Sequence, residues 1–259
     1  MRVFVTGATG FIGSYILKEL RRLGHDVRCL LRDPDAPLSI GGEGVERIGG
    51  NIRDPSSLNG AMNGCDAVIH LVGILEEKPS RGVTFEAIHD HGTRNVVGEA
   101  ARSGIEVFVH MSANGASAHD RSGYQRTKWA AEQHVRNAGF RKWTIFRPAL
   151  VFGDPGPENV EFASRILKQL VRPFPVLPVF GDGNYELQPV SVDDVAAAFV
   201  QALSNDRAAG KTYCAGGPER ITYRELLDII ARGAGLRPKP KLPQPLWLVR
   251  PVVRLGDST

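Results

Sequence analysis

The sequence is poor in cysteine: Cys29, Cys65 and Cys214 are the whole complement in 259 residues, odd in number, far apart and without metal-ligand spacing. That scarcity excludes a disulfide framework and a cysteine-built zinc site, and it points to a reducing compartment. Also missing is any apolar run approaching the roughly 18 residues that would span a bilayer. The opening Met1-Arg2-Val3-Phe4-Val5 enters a strand pattern at once, leaving no room for the charged and apolar regions of a signal peptide. A soluble, cytoplasmic chain is the expectation. No block of one charge sign occurs, because 32 basic and 28 acidic residues are spread along the chain to a net charge of +4. No nucleic-acid partner is therefore expected, while a pI near 9.1 suits an anionic ligand. There is no internal repeat and no low-complexity tract. What remains, 42% hydrophobic and 23% charged residues, is an ordinary globular composition in a chain long enough for one large or two small domains.

From residue 1 to about 150, short β-branched runs alternate with longer amphipathic stretches, the order of βαβ units that build a parallel sheet. The spacing predicts strands at Arg2 to Val5, Asp26 to Leu31, Val45 to Gly49, Ala67 to Val72, Val107 to Met111 and Trp143 to Arg147. Helices are predicted near 11–23, 56–62, 83–103 and 122–138. The strands are almost continuously apolar, as expected where helices cover both faces of a sheet. After Arg147-Pro148, Pro155, Pro157, Pro173, Pro175 and Pro178 break the rhythm. A smaller mixed lobe is expected over 151–259, with stretches of chain crossing between the two parts. Its predicted elements are helices near 158–171, 193–204 and 222–234 and a strand around Lys211 to Cys214. The Pro-rich Arg237 to Pro243 reads as an extended connector, and Pro245 to Leu255 as a terminal helix packed on its own domain or an amphipathic surface helix. The fold class is α/β, a doubly wound parallel sheet with a small C-terminal lobe.

The first predicted strand runs into Thr6-Gly7-Ala8-Thr9-Gly10-Phe11-Ile12-Gly13, a glycine every third residue at a strand-to-helix turn. Gly7 permits the tight turn, Gly10 lets the backbone approach a diphosphate, and Gly13 lets the helix lie close to the sheet. The phosphates then meet the free N–H groups and the positive end of that helix, with Thr9, Phe11 and Ile12 supplying the neighbouring main chain. A dinucleotide is the implied ligand. Which one is read at the end of the second strand, where an Asp or Glu would accept from the ribose hydroxyls. Here Leu31 takes that slot and Arg32 follows, able to pair with a 2′-phosphate, so NADP(H) is favoured over NAD(H). A solvated Arg32, with Asp33 turned back to the ribose, would restore NAD. Gly50-Asn51-Ile52-Arg53-Asp54 after the third strand, with Asn51 and Ile52 foremost, and His70-Leu71-Val72-Gly73 closing the fourth, with Leu71, Val72 and Gly73 foremost, should flank the adenine and the ribose-diphosphate.

With these pieces in view, the chain resembles the extended and atypical short-chain dehydrogenases/reductases, the NAD(P)-dependent epimerase/dehydratase superfamily, over nearly its whole length. The likeness is carried by Thr6 to Gly13, Asp66 to Gly73, Tyr124-Gln125-Arg126-Thr127-Lys128 and Arg147-Pro148-Ala149-Leu150-Val151-Phe152-Gly153. It implies a Rossmann-type cofactor domain and a C-terminal substrate lobe. A finer likeness, through His89 to Val97, His110 to Ala116 and Gln188 to Ala196, is to the subgroup holding the NADPH-binding accessory subunit of respiratory complex I and its bacterial relatives. Members of that subgroup are often not demonstrably catalytic. The superfamily implies a small-molecule substrate of unknown identity, and a homodimer or an assembly partner as company.

The chemistry converges on Tyr124 and Lys128, which four-residue spacing puts on one helix face. A free phenol, with a pKa of about 10, is a poor base near neutrality, and a neighbouring ammonium favours the phenolate so that it can exchange a proton with a hydroxyl or carbonyl substrate. By resemblance, Lys128 also holds the nicotinamide ribose, Pro148 and Val151 line the nicotinamide side, and Ser112 orients the substrate oxygen. Ser112 as a strand-end cap, or Asn114 in its stead, are the alternatives. Where the superfamily's pattern carries Asn, this chain has His89. Gly181 to Asn184 is expected to form a loop over the pocket. His89, His91, His110 and His119 scatter over a predicted helix, a strand and a loop without carboxylate partners at ligand spacing, so no metal is expected. Asp193 and Asp194 read as helix-capping residues. Two functions follow: an oxidoreductase or epimerase/dehydratase using the Tyr-Lys pair, or a cofactor-loaded assembly, scaffold or redox-sensing protein that turns over slowly or never.

Overall fold

The structure, a computed structural model, describes residues 1–156, 159 and 161–245. In chain order it contains β1 (Arg2–Thr6), α1 (Phe11–Arg22), β2 (Asp26–Leu31), β3 (Val45–Gly49), β4 (Ala67–His70), α2 (Gly92–Arg102), β5 (Val107–Met111), α3 (Gly123–Asn137) and β6 (Lys142–Pro148). Then come β7 (Val151–Phe152), α4 (Phe162–Ile166), β8 (Leu177–Phe180), β9 (Glu186–Leu187), β10 (Val190–Ser191), α5 (Val192–Ser204), β11 (Lys211–Ala215), β12 (Ile221–Thr222), α6 (Tyr223–Gly233) and β13 (Lys241–Gln244). No described helix is long and apolar enough to cross a membrane.

The chain divides into two compact units. The first comprises Met1–Pro148 and Val192–Ala215, the second Ala149–Ser191 and Gly216–Thr259. In the first, seven strands form one sheet in the order β11-β6-β5-β4-β1-β2-β3, every pair parallel. Sequence order reverses between β1 and β4, and such a switch point opens a crevice at the strands' carboxyl ends. Phe4, Val68 and Phe108 form a core with Val96, Val97 and Ala100 of α2 and Val135 of α3. Helix α1 packs on α5, its last-turn Arg21 and Arg22 complementing the helix dipole.

Several elements differ from the sequence reading. The strand at 211–215 and the helix at 192–204 belong to the first unit rather than to the C-terminal lobe, because β11 pairs with β6 in parallel register, Cys214 opposite Arg147. The outer strand β3 is largely exposed, as befits a sheet edge. The expected helix at 56–62 is a single turn of 3-10 helix, Pro55–Leu58, followed at once by Gly60 in left-handed conformation (φ +71°). The helix expected over 83–103 is two pieces, a π-helical turn at Glu86–His91 leading into α2.

In the second unit, Val171, Leu177 and Val179 pack on Tyr223, Leu226, Leu227 and Ile230 of α6, a helix begun by a capping box of Thr222 and Glu225. The expected helix near 158–171 is α4 followed by a π-helical turn, Leu167–Val171, with Glu161 capping the start; positions 157, 158 and 160 lie outside the described residues. The Pro-rich connector ends in β13, paired in parallel with β8. Pro243 is tolerated there because the ribbon has only two strands and every strand is an edge. The expected terminal helix beyond Pro245 lies outside the described residues, as does Gly256 to Thr259.

Candidate functional site

A cavity of about 500 Å³ opens in the first unit at the carboxyl ends of β1, β2 and β4. Of the residues expected to hold a dinucleotide, Gly7, Thr9, Gly10, Arg32, Asn51, Ile52, Leu71, Val72 and Gly73 line it. Leu30, Ile74, Val83 and Ile88 add apolar wall, and Arg53, in the stretch expected to flank the adenine and the ribose-diphosphate, adds a second cation.

The glycine turn has the geometry of a diphosphate cradle. Gly7 is left-handed at φ +78°, and a Cβ on Gly13 would lie 2.2 Å from the Gly7 carbonyl oxygen, so only glycine lets α1 start this close to β1. A Cβ on Gly10 would meet nothing closer than 3.4 Å, which leaves the space in front of the turn open. Helix α1 begins at Gly10 without a side-chain cap and without an acidic residue in its first turn, leaving its N–H groups and dipole end for an anion. Phe11 and Ile12 sit in that first turn, Phe11 edge-on to Tyr15, and neither they nor Gly13 reach the cavity lining.

At the end of β2, Leu31 is buried. Arg32 is exposed at the cavity, and among the described residues it has no hydrogen bond or ion pair. One Asp33 carboxylate oxygen accepts from the Asp35 N–H at 3.0 Å, folding that side chain into its own turn. Arg53 donates to the Gly82 carbonyl at 2.9 Å. The cradle and the uncapped helix fit the diphosphate of a dinucleotide.

Beside this cleft, α3 carries the Tyr124–Lys128 pair. Lys128 is buried and donates from Nζ to the Met111 carbonyl at 3.1 Å. A Cβ on Gly73 would lie 2.9 Å from Nζ, so the cleft wall and the ammonium are immediate neighbours. Burial pulls Lys128 down to about 8, against the opposing pull of Glu132. Tyr124 meets Phe85 and His89 edge to face, with centroids 5.5 and 5.2 Å away. Its hydroxyl makes no hydrogen bond among the described residues. Contrary to the expectation of an ammonium-assisted phenolate, burial pushes the Tyr124 phenol above its ordinary range. The reason is desolvation, which disfavours the charged form of phenol and ammonium alike.

Ser112 is buried at the end of β5. Its hydroxyl donates to Glu132 at 2.5 Å, while its N–H donates to the Phe146 carbonyl at 2.8 Å. The Glu132 side chain is fully buried and takes Arg147 bidentately, Nε at 2.7 Å and Nη2 at 2.8 Å, with Arg136 at 3.2 Å. Burial pushes the Glu132 carboxyl up, and the Arg147 and Ser112 hydrogen bonds more than offset that, holding it below the ordinary carboxylate range. Sequence reasoning missed Glu132; its spacing one turn beyond Lys128 was the available signal. Pro148 ends β6, and Val151 lies in β7 of the second unit.

Three histidines lie buried near the site. His70 is hydrogen-bonded by Thr6 and Thr93 hydroxyls at 2.6 and 3.0 Å. The His110 ring stacks on it at 5.4 Å, both nitrogens without a partner among the described residues. Burial pulls His70 and His89 down to about 3 and His110 in the same direction, so all three are neutral. No group of three or more His, Cys, Asp or Glu among the described residues could hold a metal.

Residues 3–216 match the NAD dependent epimerase/dehydratase family. The chain is 36% identical over 236 residues to the mitochondrial NADH dehydrogenase (ubiquinone) 1 alpha subcomplex subunit 9 of Arabidopsis thaliana, covering 87% of this chain and 56% of that protein. It is 30% identical over 232 residues to the mitochondrial 40 kDa subunit of NADH-ubiquinone oxidoreductase of Neurospora crassa, covering 88% and 59%. The chain thus spans less than two thirds of the length of these relatives. Among solved structures, the UDP-glucose 4-epimerase of Thermus thermophilus in complex with NAD superposes with a TM-score of 0.73 at 26% identity, covering 95% of this chain and 86% of that one. Glycine cradle, parallel sheet and sequence likeness agree: the chain belongs to the NAD dependent epimerase/dehydratase family.

Proposed function

We propose that this protein holds NADP(H) in the cleft of its first unit and uses the Tyr124–Lys128 pair to pass a proton to or from a hydroxyl or carbonyl substrate. The observation that carries the nucleotide choice is Arg32, exposed at the cavity and without a partner among the described residues, beside a buried Leu31, while Asp33 is occupied with Asp35. A guanidinium in that position pairs with a 2′-phosphate and offers nothing specific to a ribose hydroxyl.

When bound, the dinucleotide supplies or accepts the hydride. The chain's own residues handle the proton. Tyr124, kept protonated by burial, holds it on a hydroxyl without a partner among the described residues and can donate it to a carbonyl oxygen. Lys128 stands at the cleft wall beside Gly73, where its ammonium can reach a ribose hydroxyl. This arrangement favours carbonyl reduction. The single sharpest test is to denature the purified protein, identify any released dinucleotide, and compare NADPH with NADH by calorimetry. Equal affinities would sink the NADP assignment, and no binding of either would sink the site.

One observation favours a second reading, a cofactor-loaded subunit with slow or no turnover. The Ser112 hydroxyl already donates to Glu132, leaving Tyr124 as the one hydroxyl among the expected catalytic residues that can donate to a substrate oxygen, and the two relatives named above are respiratory-complex subunits by name. A bound ligand stabilises a fold whether or not chemistry follows. Turnover of simple carbonyls or quinones that disappears in Tyr124→Phe would decide for the enzyme. For location, free Cys29, Cys65 and Cys214 fit a reducing, aqueous compartment such as the cytoplasm, although those two relatives carry mitochondrial names.

A further inference from the structure

His89 stands where two parts of the site meet. It lies in the π-helical turn Glu86–His91, a wide turn of the kind that recurs at functional positions, and its side chain is buried. The Ile74 N–H, which can only donate, points at Nε2 at 2.9 Å. Nδ1 therefore carries the proton of the neutral ring and donates to Thr127 Oγ1 at 3.1 Å. Thr127 in turn donates to the Gly123 carbonyl at 2.9 Å, at the start of α3. The same ring is the face or edge against which Tyr124 packs, 5.2 Å away at 87°, and Phe85 stacks on it at 5.4 Å. One imidazole thus ties the cavity wall at Ile74 to α3, while the ring itself backs the phenol.

We propose that His89 is a positioning residue that fastens helix α3 to the cleft wall at Gly73 and Ile74, and so sets the Tyr124 hydroxyl in register with a dinucleotide seated on that wall. This rests on the function proposed above. The two contributions are separable. His89→Phe keeps a ring for Tyr124 but loses both hydrogen bonds, leaving the Ile74 N–H without its acceptor. His89→Asn keeps an acceptor and a donor but loses the ring.

The test measures NADPH affinity by calorimetry and Tyr124 ionisation by ultraviolet titration, the latter as a difference against Tyr124→Phe. In His89→Phe, affinity should fall about tenfold, the size of a lost buried hydrogen bond, with the phenol titration unchanged. In His89→Asn, affinity should stay within about twofold, while the phenol titrates lower because water reaches it. Should His89→Phe not fold, Thr127→Val removes the α3 partner alone and should weaken NADPH severalfold. Variants that move both readouts together, or neither, while keeping wild-type circular dichroism overturn the proposal. If the wild type binds no dinucleotide, the functional reading fails and the phenol arm alone decides: an unchanged titration in His89→Asn overturns the role of His89.

Discussion

The Ser112 hydroxyl donates to a carboxylate oxygen of Glu132 at 2.5 Å, from the end of one central strand to the middle of α3. The same oxygen receives Arg147 Nε at 2.7 Å, so a serine expected to face a substrate is half spent on holding the scaffold. The arrangement makes Glu132 the hub that ties β5, β6 and α3 together.

Replacing Glu132 by Gln leaves Arg147 and Arg136 facing an uncharged amide in a buried place. A loss of about 3 kcal/mol in unfolding free energy is expected, the usual scale for breaking a buried pair. The native carboxyl titrates below its unfolded value of about 4.3, so this stabilisation is complete above that pH and disappears as pH falls through the lower native value. Urea melts across pH should show the gap between wild type and Glu132→Gln narrowing only in acid. A gap independent of pH would mean that the charge on Glu132 is not what stabilises.

Lys128 has the opposite sign. Its native value near 8 lies below the unfolded value of about 10.4, so its burial costs stability below pH 8, and stability should rise as pH climbs between those two values. Lys128→Met should gain about 2–3 kcal/mol near neutrality and lose the alkaline rise, while weakening NADPH binding. Thermal melts and calorimetry check both; a destabilised Lys128→Met would show that the Met111 hydrogen bond outweighs desolvation.

The glycines of the cradle should separate folding from binding. In Gly13→Ala the new methyl meets the Gly7 carbonyl at 2.2 Å, and overpacking of that kind costs about 1–3 kcal/mol or more. Gly10→Ala meets only ordinary contact at 3.4 Å, so it should melt like wild type yet lose dinucleotide affinity, because its methyl occupies the approach to the helix end. Equal affinity in Gly10→Ala would put the diphosphate elsewhere.

Arg32→Ala should cost NADPH about tenfold to a hundredfold in affinity, the range for a charge-assisted pair, and leave NADH almost unchanged. Calorimetry with both nucleotides reads this directly. An unaltered preference would show that Arg53, the other cation at the cavity, does the discriminating.

Much of the first unit was legible because its rules are local. A β-branched run followed by glycines at 7, 10 and 13 signals a tight strand-to-helix turn, and the structure requires glycine at two of them, Gly7 by its left-handed φ of +78° and Gly13 by the 2.2 Å overlap a Cβ would make with the Gly7 carbonyl. Strand positions came within one or two residues for the same reason. The allocation of 192–215 was not legible, since a strand's partner is chosen by distant pairing energy and nothing in Lys211 to Ala215 names β6.

The site divides along the same line. The amino-acid order alone determined the α/β class, the glycine turn at 7–13 and the Tyr124–Lys128 spacing, because each depends on neighbours within a turn or two of chain. Tertiary structure decided that Ser112 donates to Glu132, that His89 joins Ile74 to Thr127, and that burial moves the Lys128 ammonium and the Tyr124 phenol away from the charged state. Those are consequences of desolvation and of contacts between segments 15 to 38 residues apart, which no local pattern encodes.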